Sequence, residues 1–212
     1  MTPEQMKALF TRADGSYYFA RWGRPIVPVV FGVEDATLSV VKGAVEAVVT
    51  LAGHKMAETD PELGANLMIF FCRDWAELPQ IPNLDRMIPD LGPLCLRLTK
   101  AGANHYRLFR FESDGSIKAV FAFLRISADL AERPAQDLAL NEAVQMIVTW
   151  SETAFAGSSP LARLDEVAIL RPEIAEVIRT GYDPLLPKAT RDASHALRLA
   201  ARVQSRLDVQ IN

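Results

Sequence analysis

Length, composition and charge limit the class of protein to which this chain can belong. With 212 residues, half of them hydrophobic, the chain can bury a substantial core and fits a single domain over residues 1–212 better than two. A net charge of −3 gives no global attraction to nucleic acid or to an anionic membrane, so we expect neither as a partner. The sequence shows no apolar run long enough to span a membrane and no secretory signal pattern, so a cytoplasmic location is the default expectation.

The first third of the chain predicts a βαβ unit. After a short helix over residues 3–11, residues 24–31 predict a strand whose prolines favour the edge of a sheet. Residues 37–51 predict an amphipathic helix. Residues 65–72 form a nearly continuous apolar run, which is typical of a central strand buried on both faces. Residues 73–93 contain four prolines and predict short helical turns and loops, a candidate rim for a cleft, although plain connecting structure is the simpler interpretation.

A hairpin and three helical segments follow. Strand-like runs flank an Asp-Gly turn at residues 114–115, and this turn chemistry predicts an antiparallel hairpin over residues 105–126 with a type I′ turn. Residues 133–155 predict one long helix with a proline in its first turn. Residues 158–169 have no periodic pattern and predict irregular structure. Residues 172–207 then predict two C-terminal helices, the second of which begins at Thr190 and buries Leu197.

The long helix presents two different faces. One face is apolar and is expected to pack on the sheet: it carries Leu140, Ala143, Val144, Ile147 and Ala154. The opposite face is mostly polar: it carries Leu138, Asn141, Glu142, Gln145, Thr149 and Glu152. A polar face of this kind fits either the floor of a cleft or the solvated side of a surface helix, and helical periodicity does not separate the two.

The polar face also carries a degenerate motif. Residues 141–145 read NEAVQ, which resembles the H-E-x-x-H helix motif of zincins with both histidines replaced. In zincins the two histidines bind zinc and the glutamate is the general base. Only Glu142 matches here, and Ser151 occupies the place where metzincins have a third histidine. The resemblance therefore implies a zincin-like topology in which the usual metal ligands are missing.

A second segment strengthens this resemblance. Residues 178–187 resemble the helix end and Y-D-P turn of an uncharacterised bacterial family of zincin-like proteins, which often carries E-E-x-x-Q on its helix and an acidic residue shortly after it. Gln145 and Glu152 match that variant, whereas Asn141 departs from it.

Neither zinc nor any other cofactor is predicted. Asn141 and Gln145 offer amides, which are poor zinc ligands, and Glu142 and Glu152 would lie ~15 Å apart along a helix. The three histidines are scattered without an i, i+4 pair: they are His54, His105 and His195. The two cysteines, Cys72 and Cys95, lie in apolar surroundings and predict buried free thiols.

One further polar feature stands on the last predicted helix. Five basic residues share one side of it, and we call them the arginine stripe: Arg191, His195, Arg198, Arg202 and Arg206. Such a stripe could contact an acidic partner or nucleic acid, but no aromatic residues accompany it and the rest of the protein is acidic, so a solvated helix face is the simpler interpretation.

These observations predict an α+β fold, with a mixed, mostly parallel sheet, an antiparallel hairpin, helices packed on the sheet and zincin-like topology. The predicted function is a binding module without catalysis, in which a groove lined by Asn141, Gln145 and Glu152 receives an extended peptide or a protein partner. Two alternatives stay open. One is a hydrolase that uses Glu142 as its base with an unconventional or absent metal, and the other is a structural assembly protein of unknown oligomeric state.

Overall fold

The computed structural model of the chain describes residues 1–211, and the side chains of residues 1–208. The helices are α1 Pro3–Ala8, α2 Asp35–Leu51, α3 Leu84–Met87, α4 Leu91–Lys100, α5 Ala128–Ala131, α6 Ala135–Ile147, α7 Pro172–Gly181 and α8 Ser194–Ile211, with a 3-10 helix at Trp75–Gln80. The strands are β1 Phe19–Ala20, β2 Pro28–Phe31, β3 Leu67–Cys72, β4 His105–Phe111, β5 Ile117–Arg125, β6 Leu161–Leu164, β7 Val167–Leu170 and β8 Ala189–Thr190.

A four-stranded mixed sheet with the order β2-β3-β5-β4 organises the molecule. β3 pairs in parallel with both β2 and β5, whereas β4 pairs antiparallel with β5. The central position of β3 and the edge position of β2 confirm the predictions made from the apolar run and from the prolines. Phe70 in β3 is buried, as a strand covered on both faces requires. The chain is therefore α+β with a mixed sheet.

The turn between β4 and β5 differs from its prediction. Gly115 has a φ of +82°, but Asp114 does not adopt a positive φ, so the turn is not of type I′. The amide of Gly115 instead donates to the carbonyl of Glu112 (3.0 Å), and the amide of Glu112 donates to the carbonyl of Ser116 (2.8 Å). This is a three-residue loop with glycine in the left-handed position, which Asp-Gly satisfies equally well because only one residue needs a positive φ.

The two faces of the sheet carry separate hydrophobic clusters. The larger cluster joins the sheet to the N-terminal segment and to α2, α6, α7 and α8. The smaller cluster lies on the opposite face, where α4 and the segment before it cover the sheet, and it includes Trp75, Leu84 and Phe123. The segment 73–93 therefore covers the sheet and does not line the cleft described below, so its interpretation as a cleft rim is wrong. Helix α4 was not predicted from the sequence.

Helix α6 is shorter than the predicted helix over residues 133–155. It ends at Ile147, and Val148 is already extended, with φ −143° and ψ 168°. The hydroxyl of Thr149 accepts a hydrogen bond from the amide of Ala20 (2.7 Å), and the amide of Thr149 donates to the carbonyl of Ala20 (3.0 Å). These long-range bonds replace the helical bonds that local periodicity favours.

The segment after α6 also contains regular structure where none was predicted. β6 and β7 form an antiparallel ribbon over residues 161–170, connected through Asp165, which has a φ of +53°. α7 begins at Pro172 as predicted. α8 begins at Ser194, later than expected, and it buries Ala196 and Leu199, whereas the predicted core residue Leu197 is 57% exposed.

Among residues 1–211, no helix combines the length and the apolar character needed to cross a membrane.

Candidate functional site

A cleft of about 890 Å³ opens beside helix α6. Its walls come from α6, from the adjoining ends of β4 and β5, and from the segment that leads into β6. All four residues that the sequence singled out line this cleft: Asn141, Glu142, Gln145 and Glu152. Three of them are on α6 because Ala143, Val144 and Ile147 on its other side are buried in the larger cluster.

Glu142 is not a free carboxylate on the cleft floor. Only 6% of the residue is exposed, and its Oε2 atom pairs with Nη2 of Arg107, a residue of β4 whose side chain is also mostly buried. Its Oε1 atom accepts a hydrogen bond from Nδ2 of the Asn141 side chain (3.1 Å). Glu142 therefore lines the cleft, but its carboxylate is not solvated, so the interpretation as the solvated side of a surface helix is wrong for this residue. Both oxygens already have donors, because packing of α6 against the sheet brings residue 142 over the β4 strand.

Glu152 and Ser151 lie outside helix α6, contrary to the helical placement predicted for them. Oε2 of Glu152 accepts a hydrogen bond from the amide of Ala13 (3.2 Å), so the side chain spans the gap between the end of α6 and the N-terminal segment. Ser151 is buried, and its hydroxyl donates to the carbonyl of Ala8 (3.2 Å). The position of a third metzincin histidine is thus occupied by a serine that anchors the backbone.

His105 lies at the start of β4 and lines the cleft. Although its side chain is exposed, the cleft walls desolvate the ring and lower its pKa, the positive charge of Arg107 lowers it further, and the negative charge of Glu142 opposes the shift. The strand-like sequence around position 105 favours a structural histidine there, because nothing in this local pattern connects the first residue of β4 with α6. Its place in the cleft depends on the strand order of the sheet.

One wall of the cleft is the unpaired edge of strand β6. Three residues of β6 line the cleft, Leu161, Ala162 and Arg163, together with Pro160 before the strand and Ala168 of β7, which is opposite Arg163. The side chains of Leu161 and Arg163 lie on one face of the ribbon and that of Ala162 lies on the other, so the β6 backbone between the two faces borders the cleft. β6 pairs with β7 on its other edge, so this edge has no neighbouring strand among the described residues. The sequence missed this wall because the segment has no clear strand pattern.

Charge is distributed unevenly along the cleft. Arg163 pairs with Asp137 in the first turn of α6 (2.9 Å), and the exposed side chain of Arg133 lies just before that turn. Glu152 stands beyond the other end of α6. One end of the cleft is therefore richer in positive charge, and the other carries a carboxylate.

The described residues contain no group of three or more His, Cys, Asp or Glu side chains placed to hold a metal ion. Cys72 and Cys95 are buried, as predicted, and they lie on the opposite face of the sheet from the cleft. Burial raises the pKa of the Cys72 thiol to about 12, so this side chain stays protonated and unreactive near neutral pH.

The arginine stripe is not a continuous solvated face. His195 is completely buried, and its Nδ1 atom is hydrogen-bonded to the hydroxyl of Tyr17 (2.9 Å). The guanidinium groups of Arg202 and Arg206 both approach the carboxylate of Asp183, the latter at 3.8 Å. Part of the stripe thus holds α8 against the turn after α7, which the helical pattern alone could not reveal.

Comparison of the chain with models of protein families, with curated proteins and with solved structures found no match in any of the three.

Proposed function

We propose that the cleft beside α6 binds an extended peptide or an extended segment of a protein partner, and that the chain is a binding module without catalytic activity. In this proposal the fold has a zincin-like topology, and α6 keeps the position of a catalytic helix as scaffold. Asn141 and Gln145 supply amide donors and acceptors on the floor, and Glu152 supplies a charge at one end. A cytoplasmic location and the absence of nucleic acid as a partner remain predictions.

The engagement of Glu142 is the observation that carries this proposal. A general base must lie within hydrogen-bond reach of the proton that it removes from a bound substrate. Both carboxylate oxygens of Glu142 instead accept bonds from Arg107 and Asn141, in a place where little of the side chain is exposed. The cleft therefore offers shape, hydrogen-bonding groups and a strand edge, which support recognition of a main chain better than hydrolysis.

Selection from a library of linear peptides tests this proposal. Peptides of about nine residues would be ~30 Å long when extended. We expect the wild-type protein to enrich a related set of sequences and Gln145→Trp, which places a large side chain in the cleft, to lose that enrichment. Gln80→Trp is the matched control, because Gln80 is exposed and belongs to the 3-10 helix on the opposite face of the sheet.

Two results would contradict the proposal. Equal enrichment by wild type and Gln145→Trp would show that the peptides bind outside the cleft. Cleavage of the selected peptides by the wild type, but not by Glu142→Gln, would instead support the hydrolase alternative.

A further inference from the structure

The geometry of the cleft wall points to a specific mode of binding: we propose that the bound peptide pairs with the free edge of β6 and becomes the third strand of the β6–β7 ribbon. This inference rests on the proposed function, since it states how the same cleft would hold its ligand. It assigns the main-chain recognition to a two-stranded ribbon outside the four-stranded sheet.

The hydrogen-bond register identifies the backbone groups that a peptide would use. The amide of Arg171 donates to the carbonyl of Pro160 (3.0 Å), so this pair is bonded across the ribbon. In an antiparallel pair, bonded and non-bonded positions alternate, so Ala162 bonds inward while Leu161 and Arg163 direct their backbone groups outward.

Most of these outward backbone groups have no backbone hydrogen-bond partner, as expected for an open strand edge. The amide of Leu161 donates to the hydroxyl of Ser159 (3.1 Å), which closes one end of the edge. Among the hydrogen bonds of the described residues, the carbonyl of Leu161 and both backbone groups of Arg163 have no backbone partner. An incoming strand would therefore meet one donor and two acceptors facing the cleft, spaced as β-pairing requires.

The charges at the two ends of the cleft specify the ligand further. β6 runs back along α6, because Arg163 reaches Asp137 in the first turn of that helix. The 13 residues of α6 separate this end, where Arg133 is exposed, from the Glu152 end by ~20 Å. The complementary ligand is an extended peptide with an acidic side chain near Arg133 and a basic side chain near Glu152.

Two substitutions at one position separate main-chain pairing from side-chain effects. Arg163→Ala and Arg163→Pro both remove the ion pair with Asp137, but only proline also removes the outward amide. This amide points away from β7 and makes no bond within the ribbon, so proline is compatible with the edge position. With the peptide most enriched by the wild type as the probe, we expect Arg163→Ala to weaken binding less than about threefold and Arg163→Pro to weaken it at least about tenfold.

A second measurement uses the wild-type protein and therefore does not depend on the folding of a variant. Each residue of the same peptide is N-methylated in turn, which removes one peptide amide at a time. Pairing with β6 predicts loss of affinity at alternate residues, since only every second amide of a strand faces its neighbour.

The outcomes distinguish this inference from the function on which it rests. Equal binding by the alanine and proline variants, together with a methylation profile without alternation, would overturn pairing with β6 and leave peptide binding intact. If the wild type enriches no peptide at all, the proposed function and this inference both fail.

Discussion

The Arg107–Glu142 pair is the contact that bears most directly on whether α6 serves as scaffold or carries a catalytic base. A catalytic base at this position would have to reach the proton of a bound substrate, whereas the oxygens of Glu142 contact a guanidinium and a side-chain amide of the protein itself. The side chains of both partners are mostly buried, 14% and 8% exposed, so removal of either one leaves a charge without its counterion in a poorly solvated place.

The first prediction follows from this burial. Glu142→Gln should lower the free energy of unfolding by about 3 kcal/mol, because the buried guanidinium of Arg107 loses its counterion. Asp137→Asn is the matched control: Asp137 pairs with an arginine whose side chain is 53% exposed, so its loss should cost less than about 1 kcal/mol. Urea unfolding measures both. Equal small effects would show that Glu142 is solvated in solution.

The second prediction concerns His195. Its burial lowers the pKa of the imidazole to about 4 from its ordinary 6.5, the nearby positive charge of Arg198 contributes to the lowering, and Asp192 opposes it. The unfolded chain therefore takes up the proton first as the pH falls. The stabilisation is complete above about pH 6.5 and is lost between there and pH 4, by roughly 3 kcal/mol in total.

His195→Asn tests this pH dependence, because the asparagine oxygen can replace Nδ1 as the partner of Tyr17 but does not titrate. The variant should be less stable at every pH, since the ring also packs on Phe19 with centroids 4.5 Å apart. Its stability should nevertheless fall less steeply between about pH 6.5 and pH 4 in urea unfolding. An unchanged slope would show that other groups cause the acid sensitivity.

At the scale of secondary structure, the sequence predicted elements well where local and tertiary preferences agree. The apolar run of β3 can be buried only as a strand covered on both faces, and the periodic pattern of α2 only as a helix with one face on the core. Residues 148–155 continued the helical pattern, but the hydrogen bonds of Thr149 to Ala20 favour an extended chain there. The ribbon β6–β7 was missed for the opposite reason: large apolar residues such as Leu164 face solvent, so the chain shows no buried alternation.

The third prediction tests what ends helix α6. Thr149→Val preserves shape but removes the oxygen that accepts from the amide of Ala20, so a buried donor is left unsatisfied and stability should fall by about 2 kcal/mol. Thr153→Val is the control, because Thr153 is exposed and its substitution should change stability by less than about 0.5 kcal/mol. Thermal or urea unfolding of both variants decides; similar values for the two would mean that this hydrogen bond does not hold the segment.

At the scale of the whole molecule, strand order could be anticipated only in part. The βαβ unit follows from a short crossover connection, which fixes β2 beside β3. The hairpin pattern predicts that β4 pairs with β5, but it does not predict which of the two strands lies next to β3. The candidate site depends on this strand order, because the order brings the start of β4, with His105, and the end of β5 against the polar side of α6. The residues on α6 were therefore predictable, whereas those on the other walls were not.

The last prediction concerns how stability is distributed over the molecule. β3 is bonded on both edges and lies between two hydrophobic clusters, so its amides should exchange with solvent only when the whole chain unfolds. The β6–β7 ribbon has only two strands, and Leu164 and Val167 on it are 64% and 63% exposed, so its inward amides should exchange through local opening at a much lower free energy.

Hydrogen exchange followed by NMR resolves these amides individually. Addition of a peptide selected by the wild type should slow the exchange of Ala162 and Ile169, which bond across the ribbon, because a third strand makes opening of the ribbon more costly. Hydrogen exchange of the β3 amides should slow only as much as peptide binding stabilises the whole chain, and this change is the reference for the ribbon amides. If the peptide slows exchange equally in β3 and in the ribbon, or if the ribbon already exchanges as slowly as β3 without peptide, the ribbon is a rigid part of the fold and does not gain order from its ligand.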